Sequence, residues 1–187
     1  TTSISFNPTE ARSGQQITIS AINFSFNTTP SENEVLFGET SAKIVEATAK
    51  RLTVEVPRIP STVKNDESMV RRGRVQLQVK TGDLSVTAPA SFTILPPNEF
   101  SLRPNYPNPF NPSTTIRVDL PVKSGIIIQV FDMSGRKVLE PVRRIYEPNN
   151  YDFRVDLSGL ASGVYIYRVI AFPQDGSDDT MIKSGKM

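Results

Sequence analysis

The 187-residue sequence contains neither cysteine nor histidine. Without cysteine no disulfide can staple the fold, and no thiolate can act as nucleophile or metal ligand. Without histidine the commonest general base and the commonest metal ligand are both missing, which excludes Ser-His-Asp triads and ordinary zinc sites. An excess of charge of one sign is missing too: 21 Lys plus Arg stand against 19 Asp plus Glu. The balance is even on both sides of Pro97, at 10 to 9 before it and 11 to 10 after it. Neither half therefore carries a field that would draw nucleic acid or an anionic membrane. The longest apolar stretch, Gly125 to Ile128 with Val130 and Phe131 beyond it, is far too short to span a bilayer. No basic segment followed by an apolar run opens the sequence, so in an exported protein Thr1 is expected to be a processed or fragment terminus. No cofactor is expected.

What the sequence does contain is punctuation. Fifteen prolines and ten glycines are scattered among short apolar runs, the pattern of a chain that turns often. In the first half Ile17 to Ser20, Leu52 to Val56 and Val75 to Val79 alternate apolar and polar residues, Val35 to Phe37 stops at Gly38, and Ser91 to Leu95 closes at Pro96-Pro97. Only Ala42 to Arg51 shows a weak helical stripe. In the second half Thr115 to Leu120, Ile126 to Phe131, Lys137 to Leu139, Tyr151 to Leu157, Val164 to Ile170 and Met181 to Ser184 read as strands, with Gly135 supplying positive φ in the Asp132 to Gly135 hairpin loop. Period-two alternation gives one buried and one wet face. The expected fold is all-β: two tandem Ig-like antiparallel sandwiches over residues 1–96 and 104–187, joined by a short, stiff proline-containing linker at 97–103.

Few residues offer chemistry. Asp175, Asp178 and Asp179 crowd hard oxygen ligands into one loop, as calcium requires, but their spacing reads better as a solvated hairpin tip. Arg71-Arg72-Gly73-Arg74 has the charge for phosphate; with Asp66 and Glu67 upstream and no interleaved aromatics it reads as an exposed loop. No carboxylate pair sits in a cleft-like context, so no catalytic residue is assigned and the protein is read as a non-enzyme. Tyr165, just after Ser162-Gly163, is placed to bury its ring and return its hydroxyl to backbone, with Gly163 expected in a positive-φ turn.

The most specific run is Tyr106 to Ile116, YPNPFNPSTTI. Pro107, Pro109 and Pro112 fix φ and remove donors, so the segment is expected to stay extended and lead into a strand at Ser113, with Tyr106 and Phe110 packing as plugs. This run, with IIIQVFDMSGRKV at Ile126 to Val138, LASGVYIYRV at Leu160 to Val169 and IKSGKM at Ile182 to Met187, resembles the C-terminal sorting domain of cargo exported by the type IX secretion system of the Bacteroidetes. Two departures are a missing glycine before the fifth strand, where Asn149-Asn150-Tyr151 stands, and no apolar and basic residues after Met187, which implies a clipped or incompletely covered C-terminus. The resemblance implies a secreted or cell-surface protein delivered via the periplasm, with the secretion machinery and upstream cargo domains as partners. Lys183, Gly185, Lys186 and Met187 are the sorting-signal candidates, on an edge strand whose removal is expected to leave a largely folded domain.

The first half is similar to the IPT/TIG immunoglobulin-like domain through NPTEARSGQQITISAINF at Asn7 to Phe24, VLFGETSAKIV at Val35 to Val45, LTVEVP at Leu52 to Pro57 and SFTIL at Ser91 to Leu95. That implies a spacer or binding module. The alternatives are a self-associating subunit of an extracellular filament or surface layer, an adhesin module for surface polysaccharide or protein, and a hook-cap relative, against which the PNPFNPSTT segment argues.

Overall fold

The structure, a computed structural model, describes residues 1–63, 73–177 and 179–187. It is built from strands: β1 (Ser3–Asn7), β2 (Glu10–Arg12), β3 (Gln16–Ile22), β4 (Asn33–Phe37), β5 (Thr40–Ser41), β6 (Lys43–Ala47), β7 (Arg51–Glu55), β8 (Ser61–Val63), β9 (Arg74–Thr81) and β10 (Leu84–Leu95). There follow β11 (Ser101–Tyr106), β12 (Ser113–Leu120), β13 (Ser124–Phe131), β14 (Lys137–Tyr146), β15 (Asn149–Asp156), β16 (Ile166–Pro173) and β17 (Met181–Lys186). One 3-10 turn lies at Pro30–Glu32. The all-β expectation holds, and the segment with a weak helical stripe, Ala42 to Arg51, is β6 and the turn that leads into β7, with which β6 pairs antiparallel.

The chain forms two compact units. The first comprises Thr1–Ile59 and the described residues of Arg71–Leu95. Its sheets run β1-β3-β7-β6 and β2-β10-β9-β4-β5. Alternation puts Ile17, Ile19, Leu52 and Val54 of one sheet and Val35, Phe37, Leu77 and Val79 of the other into a single core. Phe92 holds its centre, edge-on to Phe6 at 5.7 Å and to Phe37 at 5.3 Å. Such ring pairs add about 1 kcal/mol each beyond their burial.

The second unit comprises Pro96–Met187 and the described residues of Pro60–Val70. Its sheets run β11-β12-β15-β8 and β14-β13-β16-β17, with β8 parallel to β15. The core joins Ile116, Val118, Phe153 and Val155 to Ile126, Ile128, Val130 and Val169. Here the expected linker needs correction. Phe100 is buried in this core, and Ser101 to Arg103 pair with Asp119 to Arg117 as part of β11. Pro104 hid that strand, but β11 is a sheet edge, where a missing donor is tolerated. Pro89 and Pro141 likewise sit where the register of β10 and β14 slips.

Candidate functional site

The segment 107–112 is a reversal and not an extended lead-in. β11 and β12 are antiparallel, with Tyr106 opposite Thr115, so the residues between them must turn the chain back. A loop with three prolines has few donors of its own, and side chains meet its needs. Buried Asn105 donates from Nδ2 to the Thr114 hydroxyl at 2.9 Å and to the Pro107 carbonyl at 3.3 Å. Thr114 Oγ1 donates to the same carbonyl at 2.9 Å. Asn108 Nδ2 donates to Asn105 Oδ1 at 3.3 Å and to the Lys186 carbonyl at 3.1 Å, which ties the loop to the last strand.

A second loop meets the first. The Leu157 amide donates to the Pro112 carbonyl at 3.0 Å, and Asp156 caps the following turn by accepting from the Ser158 amide at 2.9 Å. Tyr165 is buried and donates its hydroxyl to the Ala161 carbonyl four residues back, at 2.6 Å, while its ring lies 6.3 Å from that of Phe110. Phe110 is the packing plug. Tyr106 is not: its place opposite outward-facing Thr115 leaves it 67% exposed, with Arg117 5.5 Å over its ring.

The last strand completes the site. Tyr165 and Met187 exchange amide-to-carbonyl bonds of 3.0 Å in both directions, and the Met187 side chain is buried in the core. Gly185 lies opposite Tyr167, and any Cβ there would collide with the Tyr167 ring. Burial raises the pKa of the Tyr167 phenol, whose hydroxyl bonds the Asn105 backbone. Two of the four signal candidates, Gly185 and Met187, are thus packed into the domain, and loss of 183–187 would remove core, contrary to the expectation that the domain stays largely folded. Lys183 is exposed on its edge, its Nζ 5.7 Å from the centre of the Phe100 ring. Lys186 is exposed without a carboxylate partner among the described residues.

Together the 108–112 loop, the 157–164 loop and Lys186-Met187 enclose a cleft of about 610 Å³. Phe110, Leu160, Val164 and Met187 give it apolar walls; Asn108, Asn111, Ser158 and Ser162 give it hydrogen-bonding groups, and Lys186 gives it a cation. Three sequence motifs that lie far apart in the chain converge there. Gly163, in its wall, has no positive φ, and an added Cβ would meet only the Tyr165 ring, at 3.9 Å. The expected left-handed turn is therefore absent there, whereas Gly135 does adopt one, at φ +82°.

The remaining candidates lie elsewhere. Asp175 Oδ1 accepts from the Ser177 amide at 3.0 Å and its hydroxyl at 2.7 Å, bonds that lower its pKa. Asp179 is exposed and Asp178 lies outside the described residues. No group of three or more acidic side chains able to hold a metal occurs among the described residues. Arg71 and Arg72, with Asp66 and Glu67, also lie outside them, and Arg74 is exposed at the start of β9.

No curated protein matches the chain. Among solved structures, a protein of unknown function from Bacteroides thetaiotaomicron is 12% identical with a TM-score of 0.41, over 97% of this chain and 48% of its own. Gamma-CGTase from alkalophilic Bacillus clarkii is 15% identical with a TM-score of 0.39, over 98% of this chain and 24% of its own. Dimeric latent PorU from Porphyromonas gingivalis is 15% identical with a TM-score of 0.39, over 99% of this chain and 19% of its own. The chain spans half or less of the length of these proteins, and likenesses of this size carry no argument. The family matches do. Residues 1–94 match the family described as IPT/TIG domain, and residues 105–182 the one described as Secretion system C-terminal sorting domain. Both are non-catalytic kinds of domain. The second is a family of domains that sort proteins for secretion. No helix among the described residues is long and apolar enough to cross a membrane. The chain belongs to the IPT/TIG family in its first half and carries a type IX sorting domain in its second.

Proposed function

We propose that the second unit is an address read by the type IX machinery after the protein reaches the periplasm. In this reading the first unit is a spacer or binding module that holds upstream cargo domains away from the membrane. The observation that carries it is the convergence of the YPNPFNPSTT loop, the LASGVY loop and the last strand on one cleft, with Lys186 at its rim. Separate motifs fixed into one surface form a shape that a receptor can read as a unit. Beside the cleft, β17 is the edge of its sheet and offers unpaired backbone groups to a partner strand. Self-pairing of that edge in a filament is disfavoured, because the strand carries Lys183 and Lys186 and no acidic residue to offset them.

The test is delivery. The whole chain, fused behind a periplasmic reporter in a type IX host, is expected to bring the reporter to the cell surface, while a fusion ending at Leu95 leaves it in the periplasm. Surface delivery by residues 1–95 alone overturns the reading. Lys186→Glu keeps the core residues in place and is expected to lower delivery without lowering the melting temperature, a separation that removal of 183–187 cannot give.

A further inference from the structure

The four sheets differ in what they show to solvent. In the first unit the outward positions of the inner strands are mostly polar, as with Thr18 and Ser20 on β3 and Gln76 and Gln78 on β9, and the apolar exceptions, Ile22 on β3 and Leu36 on β4, stand singly on different sheets. In the β11-β12-β15-β8 sheet the outward positions are Thr115 and Arg117 on β12, Asp152 and Arg154 on β15. That is the usual alternation of a two-layer sandwich. The β14-β13-β16-β17 sheet breaks it. Ile126 and Ile128 fill the core, yet Ile127 between them points outward, opposite Ile170 on β16, which is opposite Ile182 on β17. Ile182 is 59% exposed. The neighbouring row carries Ile145 and Phe172 on either side of Gly125, both exposed. A strand apolar on both faces is usually one that is covered on both faces; among the described residues of this unit no element covers the second face.

The charges on this face say what the cover is. Glu140, its acidic group, is fully engaged, accepting from Lys137 at 2.8 Å, Arg143 at 2.6 Å and Gln129 at 3.0 Å. Arg168 is held with its guanidinium 4.8 Å over the Phe131 ring, and neither it nor Lys186 has a carboxylate among the described residues. We propose that this face docks a partner protein whose apolar side chains cover the Ile127-Ile170-Ile182 row and whose carboxylates meet Arg168 and Lys186. An apolar centre with polar and charged groups at its margin is the anatomy of a protein interface. Two copies face to face would bring Arg168 and Lys186 of both into one contact whose only acidic group among the described residues, Glu140, is already engaged, and a lipid surface would have to take in the Glu140 carboxylate with its two cations. The inference stands whether or not the second unit is an export address.

The experiment places p-benzoylphenylalanine in the full chain, either at Ile182 or, as a control on a polar face, at Thr115, and irradiates cells that are exporting it. One protein adduct of defined mass is expected from position 182 and none from 115. Arg168→Glu is expected to reduce that adduct about tenfold at unchanged melting temperature, with Arg168→Lys restoring much of it. An adduct made of two copies of this chain, no adduct, or one indifferent to Arg168→Glu overturns the proposal. So does binding of the purified chain to phosphatidylglycerol-containing vesicles that Arg168→Glu abolishes. Surface delivery is scored in the same cells: an adduct that persists while delivery fails sinks the export reading alone, and delivery without the adduct sinks this one alone.

Discussion

Both units are two-sheet sandwiches, but they fill and tie their cores differently. The first uses aliphatics and phenylalanine, with Asn33 as the one buried polar residue among those described. The second contains all five tyrosines of the chain and buries Asn105, Thr114, Asp119, Ser124 and Asn150. Its tyrosine hydroxyls return to backbone: Tyr165 to Ala161, Tyr151 to Glu147 at 2.8 Å, and Tyr167 to Asn105. A phenylalanine core resists unfolding and says little about where loops go, because dispersion and burial are non-directional. Hydrogen bonds between a hydroxyl and the backbone are directional, and they pin particular residues to one another. The unit that matches the sorting-domain family is the one that holds its loops in this way.

The sharpest way to break the comparison is at the last strand. Removing Lys183 to Met187 takes away a buried methionine, the two Tyr165–Met187 bonds and the seat of the Tyr167 ring. Loss of a buried Met side chain alone costs roughly 2–5 kcal/mol. The second unit is expected to lose its calorimetric transition or to shift it down by more than about 15 °C, with the first unit's transition unmoved. A second unit that still melted normally would show that Met187 contributes little. Next in size is a pair of glycines. Gly185→Ala must displace the Tyr167 ring and is expected to destabilise by about 1–3 kcal/mol. Gly163→Ala meets only ordinary contact distance and is expected to change stability by less than about 0.5 kcal/mol. Equal effects at the two sites would refute the packing account of Gly185.

Much of this fold was legible in the sequence, because β3, β7, β9, β12, β13 and β15 follow period two and turn residues mark their ends. The strands that escaped are short or lie at sheet edges. β2 has three residues, and β11 contains Pro104, which a local reading takes as linker. The cleft escaped for another reason. Its motifs are visible one by one, but their meeting depends on the pairing of Tyr165 with Met187, 22 positions away, and on Asn108 reaching Lys186. The collision that forces glycine at 185 is likewise a matter of register with Tyr167 and leaves no local trace. The run Gly125 to Phe131 did carry the signal of a strand apolar on both faces, a signal that its length measured against a bilayer does not reveal.

A smaller effect separates the units at high pH. Burial, helped by the nearby Glu147 carboxylate, pushes the Tyr151 phenol from 10 up to about 12. A raised pKa in the folded state means its contribution is whole below pH 10 and is lost as pH climbs toward 12, where only the unfolded chain ionises this group readily. The second unit's transition is expected to fall more steeply than the first's between pH 10 and 12, the first having no tyrosine. Tyr151→Phe is expected to flatten that fall; an unchanged slope would remove Tyr151 as its cause.

The smallest expected effect concerns Glu140, at the centre of the polar cluster on the apolar face. Hydrogen bonds from Arg143 first, then Lys137 and Gln129, hold its carboxyl at about 2, against an ordinary 4.5. The folded state is the weaker binder of this proton, so the contribution is present above pH 4.5 and is lost as pH falls from there toward 2. Because the group sits at the surface, salt screens the cluster and the change in melting temperature is expected to be slight. The titration itself is the better measurement. In low salt the Glu140 carboxyl carbon signal of the full chain is expected to titrate near pH 2, and Arg143→Gln with Lys137→Gln to return it toward 4.5. A midpoint near 4.5 in the unaltered protein would mean that the cluster is not preorganised in solution. Glu140 would then be free to protonate, and the polar row that sets this face apart from a lipid-binding surface would lose its fixed charge.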